Sequence, residues 1–311
     1  MSKDIKRFII TASIVLGSII LIDIFIGIVL DKVMDKIPNF SGQLAKDNYR
    51  LHKMNEEIVI LGSSRGSHHY VTKQLGDSIN THLNKKLTIY NAAIDGKFAN
   101  SNSCAAEIII DRYKPKLVIY DLSNGMLESE KFDDIIFSSP FYWKDSIVHR
   151  YIDNIGLKEK IIMKSSSYRY NGKLLRIFSS FLSPISNDDG YLPLYGTSID
   201  TTIFKTKIKT ATKTNPYTVN NFENVLKKYS EKEIPLIIVS SPQFRPNNEN
   251  DDLKSICNKY NIPFIDIYNT DYFNNHPELF KDAGHLNDDG AHAYTAIFFD
   301  SLKHYLHLIK D

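Results

Sequence analysis

Ile58-Val59-Ile60-Leu61-Gly62-Ser63-Ser64-Arg65 decides the fold. Its first four residues are all apolar and mostly β-branched, so they read as a strand buried on both faces, as the strands of a parallel sheet do. The glycine that follows ends the strand in a tight turn and presents a serine. Outward from this stretch, comparable runs recur at Leu87 to Tyr90, Leu117 to Asp121, Pro235 to Ser240 and Pro263 to Ile267. Helical stretches alternate with them at Ser101 to Tyr113, Val219 to Glu231, Asp251 to Tyr260 and Asp289 to Ile309. In the last of these Ala291, Tyr294, Ile297, Phe298, Leu302 and Tyr305 recur at helical spacing and should face the core. The alternation predicts a three-layer α/β/α fold with a five-stranded parallel sheet, its ligands binding at the carboxyl ends of the strands.

Near the other end of the chain, Phe280-Lys281-Asp282-Ala283-Gly284-His285-Leu286-Asn287 supplies a carboxylate and an imidazole spaced to act together. A serine hydroxyl is a poor nucleophile near neutral pH, so an imidazole must take its proton and a carboxylate must hold the imidazole in the right tautomer. Ser64 fits the nucleophile, His285 the base and Asp282 the orienting acid, which points to acyl-transfer chemistry. That chemistry also needs donors for a developing oxyanion. Gly96, in the turn Asn91-Ala92-Ala93-Ile94-Asp95-Gly96 after the second strand, lets a backbone N–H approach closely. Asn124, in Leu122-Ser123-Asn124-Gly125 after the third, can aim a side-chain amide at the same point.

This order of parts resembles the SGNH (GDSL-type) hydrolase superfamily: serine after the first strand, glycine after the second, asparagine after the third, and Asp-x-x-His near the end. The resemblance covers roughly residues 55 to 305 and suggests a membrane-anchored bacterial member with the flavodoxin-like SGNH fold. It implies Ser64, Asp282 and His285 as the triad, and the backbone of Ser64 and Gly96 with the side chain of Asn124 as the oxyanion hole. No cofactor is implied. The chain departs from the family pattern at Ser63, where an aspartate is usual, at Leu122, where a glycine is frequent, and at Gly125, where an aspartate commonly follows the asparagine. Gly62-Ser63-Ser64-Arg65-Gly66 also satisfies the Gly-x-Ser-x-Gly elbow of the α/β-hydrolases. In that fold the serine lies deeper in the sheet order and the acid and histidine sit on separate loops, so the elbow is the minor reading.

His68 and His69 are adjacent, and His276, His285 and His292 gather late in the chain. None forms a His-x-x-x-His or His-Glu-x-x-His pattern, so no metal site is expected. Cys104 and Cys257 can pair in an oxidising compartment or stand as two small buried residues.

From Phe8 to Leu30 the chain is almost wholly apolar and long enough to cross a bilayer as a helix, with Asp23 its one ionisable residue. The following Asp31-Lys32-Val33-Met34-Asp35-Lys36 carries no small-residue cleavage signal, which favours an uncleaved anchor. Lys3, Lys6 and Arg7 outnumber Lys32 and Lys36, so the N-terminus is expected in the cytoplasm and the domain outside it or in a periplasm. Asp23 either meets a helix partner or lies toward the outer interface of a tilted span. The expected division is residues 1–7 cytoplasmic, 8–30 anchor, 31–54 linker and 55–311 catalytic domain, with a long insertion at about 128–233.

That insertion, with Ser186-Asn187-Asp188-Asp189-Gly190-Tyr191-Leu192-Pro193-Leu194-Tyr195-Gly196, is expected over the active-site face. Gln243 and Arg245, just after the fourth strand, are further pocket-wall candidates, with a plain surface turn as the other reading. The net charge of +2 over 311 residues gives no sign of nucleic-acid binding. The expectation is a serine-dependent ester hydrolase acting on an acylated carbohydrate or another ester. Alternatives are an O-acyltransferase modifying a cell-envelope polysaccharide beside a membrane-bound acyl-donor protein, and a glycan-binding module with a vestigial triad.

Overall fold

The computed structural model describes residues 1–38, 42–127, 134–182, 188–199, 214–246 and 249–310. Its strands are β1 (Ile58–Leu61), β2 (Ile89–Asn91), β3 (Leu117–Asp121), β4 (Leu236–Ser240) and β5 (Phe264–Asp266), with a small hairpin of β6 (Phe280–Asp282) and β7 (His285–Leu286). The first five form one sheet, parallel throughout, in the order β2-β1-β3-β4-β5. Chain order reverses beside β1, and a crevice for ligands opens at such a switch point.

The helices run in chain order as α1 (Lys3–Asp35), α2 (Gln43–His52), α3 (Ser64–His69), α4 (Thr72–Leu83), α5 (Ala99–Arg112), α6 (Asn124–Leu127) and α7 (Ser146–Asp153). After them come α8 (Leu157–Ile162), α9 (Ser166–Arg169), α10 (Leu174–Leu182), α11 (Pro216–Glu231), α12 (Asp251–Lys259), α13 (Asp271–Asn274) and α14 (Asp288–Leu302). Strand periodicity sorts the core into two layers. Val59 and Leu61 of β1 pack with α2, α5, α7 and α11, whereas Ile58 and Ile60 pack with α4 and α14. Both layers are sealed, which is why the strands read as unbroken apolar runs.

On α14 the side chains of Ala291, Tyr294, Phe298 and Leu302 are fully buried, while Ile297 and Tyr305 are only partly so. Tyr305 lies beyond α14, in a 3-10 turn spanning Lys303–Leu308, where the helical register has changed. The second strand begins two residues later than its apolar run. The Asn80 amide takes both Leu87 N–H, at 2.7 Å, and Leu87 C=O, at 3.0 Å, so this residue's backbone bonds to a helix side chain instead.

Residues 31–54, expected as a linker, require a correction. α1 continues through Asp35, Met34 and Ile37 are in the core, and α2 is buried along most of its length. The reason is electrostatic. Asp47 meets Arg50 Nε at 2.9 Å and Lys97 Nζ at 3.2 Å, and Ser138 Oγ donates to it at 3.0 Å. Burial opposes ionisation of Asp47, yet Lys97 and Arg50 hold its carboxyl below the usual range. A helix that enters the core through ion pairs leaves little hydropathy signal, and a buried charge is tolerated only when so paired.

The described part of the insertion divides in three. Residues 134–182 carry α7 to α10, which lie along α5, α2 and α1. Residues 188–199 run toward the ends of the strands: Asn91 N–H donates to Asp189 O at 2.8 Å, and Leu192 N–H to Ser67 O at 3.0 Å. Residues 214–233 carry α11, which packs on α5, and residues 128–133, 183–187 and 200–213 of the expected insertion lie outside the described residues.

Candidate active site

The turn after β1 is built by close approaches. A Cβ on Gly62 would stand 3.1 Å from Asp121 Cβ, and one on Gly66 would stand 2.6 Å from Ala93 Cβ, so α3 can lie on the loop after β2 only because residue 66 has no side chain. Asn91 ties the two elements together, its Nδ2–H donating to Gly66 O at 2.8 Å. Ser63 is 3% exposed, and α3 starts at the half-buried Ser64. The Ser64 N–H therefore belongs to a first helical turn, where backbone donors have no partner within the helix.

The β6–β7 hairpin brings in the other two groups. Asp282 Oδ1 accepts from Gly284 N–H at 2.8 Å, which fixes the carboxylate across the turn. His285 Nδ1 lies 2.9 Å from Asp282 Oδ1 and 3.1 Å from Oδ2, and His285 Nε2 lies 2.7 Å from Ser64 Oγ. A carboxylate only accepts, so the Nδ1 proton belongs to that bond and Nε2 is left to receive the serine proton. With the His285 and Asp282 side chains 29% and 52% exposed, the arrangement is open to a substrate and to water.

His68 and His69 diverge. His69 is fully buried, accepts Leu286 N–H on Nε2 at 3.0 Å, and uses Nδ1–H toward Ser241 Oγ at 3.1 Å. It thus anchors the residue next to His285 from beneath. Burial, with the Arg65 charge, holds its pKa well below 6.5 in the fold, so the unfolded chain binds the proton first. Stability is then lost as pH falls below about 6.5, with a slope approaching 1.4 kcal/mol per unit. His69→Gln can keep both hydrogen bonds and cannot titrate. Between pH 7.5 and 5.5 the wild type should lose about 1 kcal/mol more than this variant in denaturant unfolding. Equal losses would show that His69 does not carry the dependence.

His68 flanks the opposite side. Its ring meets that of His285 edge-on at 5.8 Å, its Nδ1 faces Leu192 O at 2.6 Å, and its Nε2 faces Asp95 Oδ2 at 3.2 Å. Burial opposes the charge on Asp95, but its bond with His68 keeps the carboxyl below the usual range. Gly96 follows at φ +72° in a turn closed by Lys97 N–H to Ile94 O at 3.1 Å, a backbone shape that favours glycine. Lys46, under this loop, donates to Gly190 O at 2.7 Å, and burial brings its pKa down to about 7.

Arg65, which sequence reasoning did not single out, is 6% exposed and bridges two strand-end loops. It donates to Ser123 Oγ at 2.7 Å and to Gln243 Oε1 at 3.2 Å, with its guanidinium 5.1 Å from the Tyr268 ring centroid. Its one sequence signal was a buried-type position for a cation directly after the presented serine. Gln243 is thereby beside the serine turn, with Tyr268 O–H donating to the same oxygen at 2.8 Å.

Arg245 instead lies in an exposed turn, its N–H on Asn274 Oδ1 at 2.9 Å and its guanidinium over Phe244, which fits the surface-turn reading. Asn124 is buried at the start of α6, where its Oδ1 accepts Leu253 N–H at 2.9 Å. That bond orients the amide and leaves Nδ2 as its donor end. His276 bonds to Tyr272 O and His292, on α14, to Gln74. Cys104 and Cys257 are both free thiols and both buried.

The chain matches no protein-family model and no curated protein. Among solved structures, one from Bacteroides fragilis NCTC 9343, described provisionally as an acylhydrolase, is 10% identical at a TM-score of 0.35, over 88% of this chain and 93% of that one. A gut microbial diltiazem-metabolizing enzyme is 13% identical at a TM-score of 0.39 over 80% of this chain. The present chain spans 47% of that enzyme's length.

Proposed function

We propose that this chain is a serine esterase working through an acyl-serine intermediate, with Ser64, His285 and Asp282 as its triad. The observation that carries the reading is the unbroken path Ser64 Oγ, His285 Nε2, His285 Nδ1, Asp282, in which a 2.7 Å contact joins Ser64 to His285, 221 positions on, and a 2.9 Å contact joins His285 to Asp282. In the first half-reaction Oγ attacks the ester carbonyl carbon as its proton passes to His285 Nε2. The carbonyl electron pair moves onto oxygen, which is received by the N–H groups of Ser64 and Gly96 and by Asn124 Nδ2. The tetrahedral adduct collapses, the C–O bond to the alcohol breaks, and His285 returns the proton to the departing oxygen. Water then repeats the sequence on the acyl-serine, with His285 again the base. Asp282 keeps the imidazole in its reactive tautomer throughout.

In the same reading α1 is an uncleaved anchor with its N-terminus in the cytoplasm and the catalytic domain outside. Its 33 helical residues, predominantly apolar through the central part, support a span. Its far half is joined to the domain: Asp23 accepts from Ser165 Oγ, Ser166 N–H and Ser167 N–H at 2.9, 2.8 and 2.7 Å, and Asp31 accepts from Tyr170 O–H at 2.5 Å. A cleaved leader would take those contacts away.

The test is to incubate the purified full-length chain with an activated acetyl ester, with and without glycan acceptors. Release of acetate in both is expected. Acetyl groups appearing on the glycan would assign the transferase alternative, and no turnover with intact binding to glycan would assign a binding module.

A further inference from the structure

The outer face of α10 is the wrong way round for a helix on a water-soluble domain. Its buried side chains are Ile177 and Ser180, while Leu175, Phe178 and Leu182 stand 84%, 63% and 86% exposed at a spacing that lines one face, with Leu174 and Phe181 beside them. Scattered exposed apolar residues are ordinary, but five on a helix of nine residues form a stripe. α8 repeats the pattern on a smaller scale, with Leu157 and Ile161 exposed among the exposed Lys158, Lys160 and Lys164.

We infer that α10 and α8 seat the domain in the outer interface of the membrane that α1 crosses, a conclusion that rests on reading α1 as a span. The occupant is set by continuity. A crevice of about 400 Å³ between α1 and α10 is lined by Ile26 and Leu30 from one and Leu174 and Leu175 from the other, so the apolar surface of α1 runs on into α10. The level is set by length. A hydrocarbon core of about 30 Å takes about 20 helical residues. Counted from Arg7, this reaches Ile26 and Gly27. At Gly27 the helix packs directly on the domain, since a Cβ there would collide with Ser166 of α9.

α9 therefore lies at the outer hydrocarbon boundary, and α8 and α10 directly precede and follow it in the chain. Asp23 sits just inside that boundary with its carboxylate already satisfied by three domain donors, so it need not reach for water. The lysines around α8 and the exposed Tyr168 are the side chains that straddle an interface, with stems and ring in the apolar zone and polar ends among headgroups. Amphipathic helices of this kind lie with their apolar face about 5–10 Å into the headgroup and acyl boundary.

The experiment is depth-dependent fluorescence quenching on the full-length chain in vesicles containing anionic phospholipid and chain-brominated lipids. Cys104 and Cys257 are buried, so an environment-sensitive maleimide reports from introduced thiols in Leu16→Cys, Phe178→Cys, Leu182→Cys and, on the exposed side of α12, Ser255→Cys. The Leu16→Cys label should be quenched most by bromines near the chain ends. Labels on Phe178→Cys and Leu182→Cys should be quenched most by bromines near the headgroup, and the label on Ser255→Cys by neither. Unquenched labels on α10 with a quenched label on α1 would overturn the inference and leave the span intact. An unquenched label on α1 would overturn the span and the inference with it. Quenching of α10 labels by one another, without any by lipid, would show that a second copy covers this face and would also overturn it.

Discussion

Ser64→Ala is expected to lower turnover of an activated ester by on the order of 10⁴- to 10⁶-fold, while Ser63→Ala keeps most of it. The two serines are adjacent, and the sequence alone lets either be the nucleophile. They differ in what surrounds them. Ser63 is buried before the first residue of α3, whereas Ser64 is half-exposed and has the only hydroxyl of the pair that meets His285 Nε2. In the proposed mechanism, removing the Ser64 hydroxyl deletes the atom that forms the acyl bond. Removing the one at Ser63 changes packing. A fluorophosphonate probe followed by peptide mapping decides between them: it should label Ser64 in the wild type and in Ser63→Ala. A label on Ser63 would reverse the assignment and leave the contact between Ser64 and His285 without a catalytic meaning.

How much of this was legible depended on which force placed each residue. β1 and β3 begin and end where their apolar runs do, because strands sealed on both faces leave an uninterrupted signature. α2 left little, since Lys46, Asp47 and Arg50 enter the core through charges that hydropathy counts as surface. A pairing with Lys97, fifty residues on, cannot be read from the residues themselves. The same limit applies around the serine. Asp-x-x-His could be found because its spacing is local, and the β6–β7 hairpin keeps it local in space. Arg65 and His68 follow β1, Asp95 follows β2, and Arg65 reaches Ser123 after β3 and Gln243 after β4, so their relation exists only after the sheet has ordered those loops.

The divergent third block illustrates the point. Leu122 and Gly125 stand where the pattern that the sequence resembles has a glycine and an aspartate beside the asparagine, and in the fold the surroundings of Asn124 are held by other residues. Arg65 holds Ser123, and Asn250 Oδ1 accepts the Asn124 N–H at 3.0 Å while the Asn124 amide oxygen takes Leu253 N–H. Residues from beyond the first and fourth strands thus brace the loop after the third.

Asp282→Asn and His285→Ala are expected to behave as one unit with Ser64. Each single change should remove most of the rate, and the double variant should cost little more than the worse of the two. The geometry gives the reason. Asp282 contacts His285 Nδ1 with both carboxylate oxygens, and His285 has one nitrogen left for Ser64, so the carboxylate acts on the serine only through the ring. Asn at position 282 can still accept Gly284 N–H and keep the turn. Its amide N–H, however, faces Nδ1 as a donor and favours the tautomer with the proton on Nε2, where it cannot receive one from serine, a loss of roughly 10⁴-fold. Once the imidazole is gone in His285→Ala, there is nothing for Asp282 to orient, and its replacement should be nearly silent. Initial rates for the wild type, the two single variants and the double variant on one ester close the cycle. Losses that multiply would mean that Asp282 reaches the reaction by a second route, through the substrate or through water.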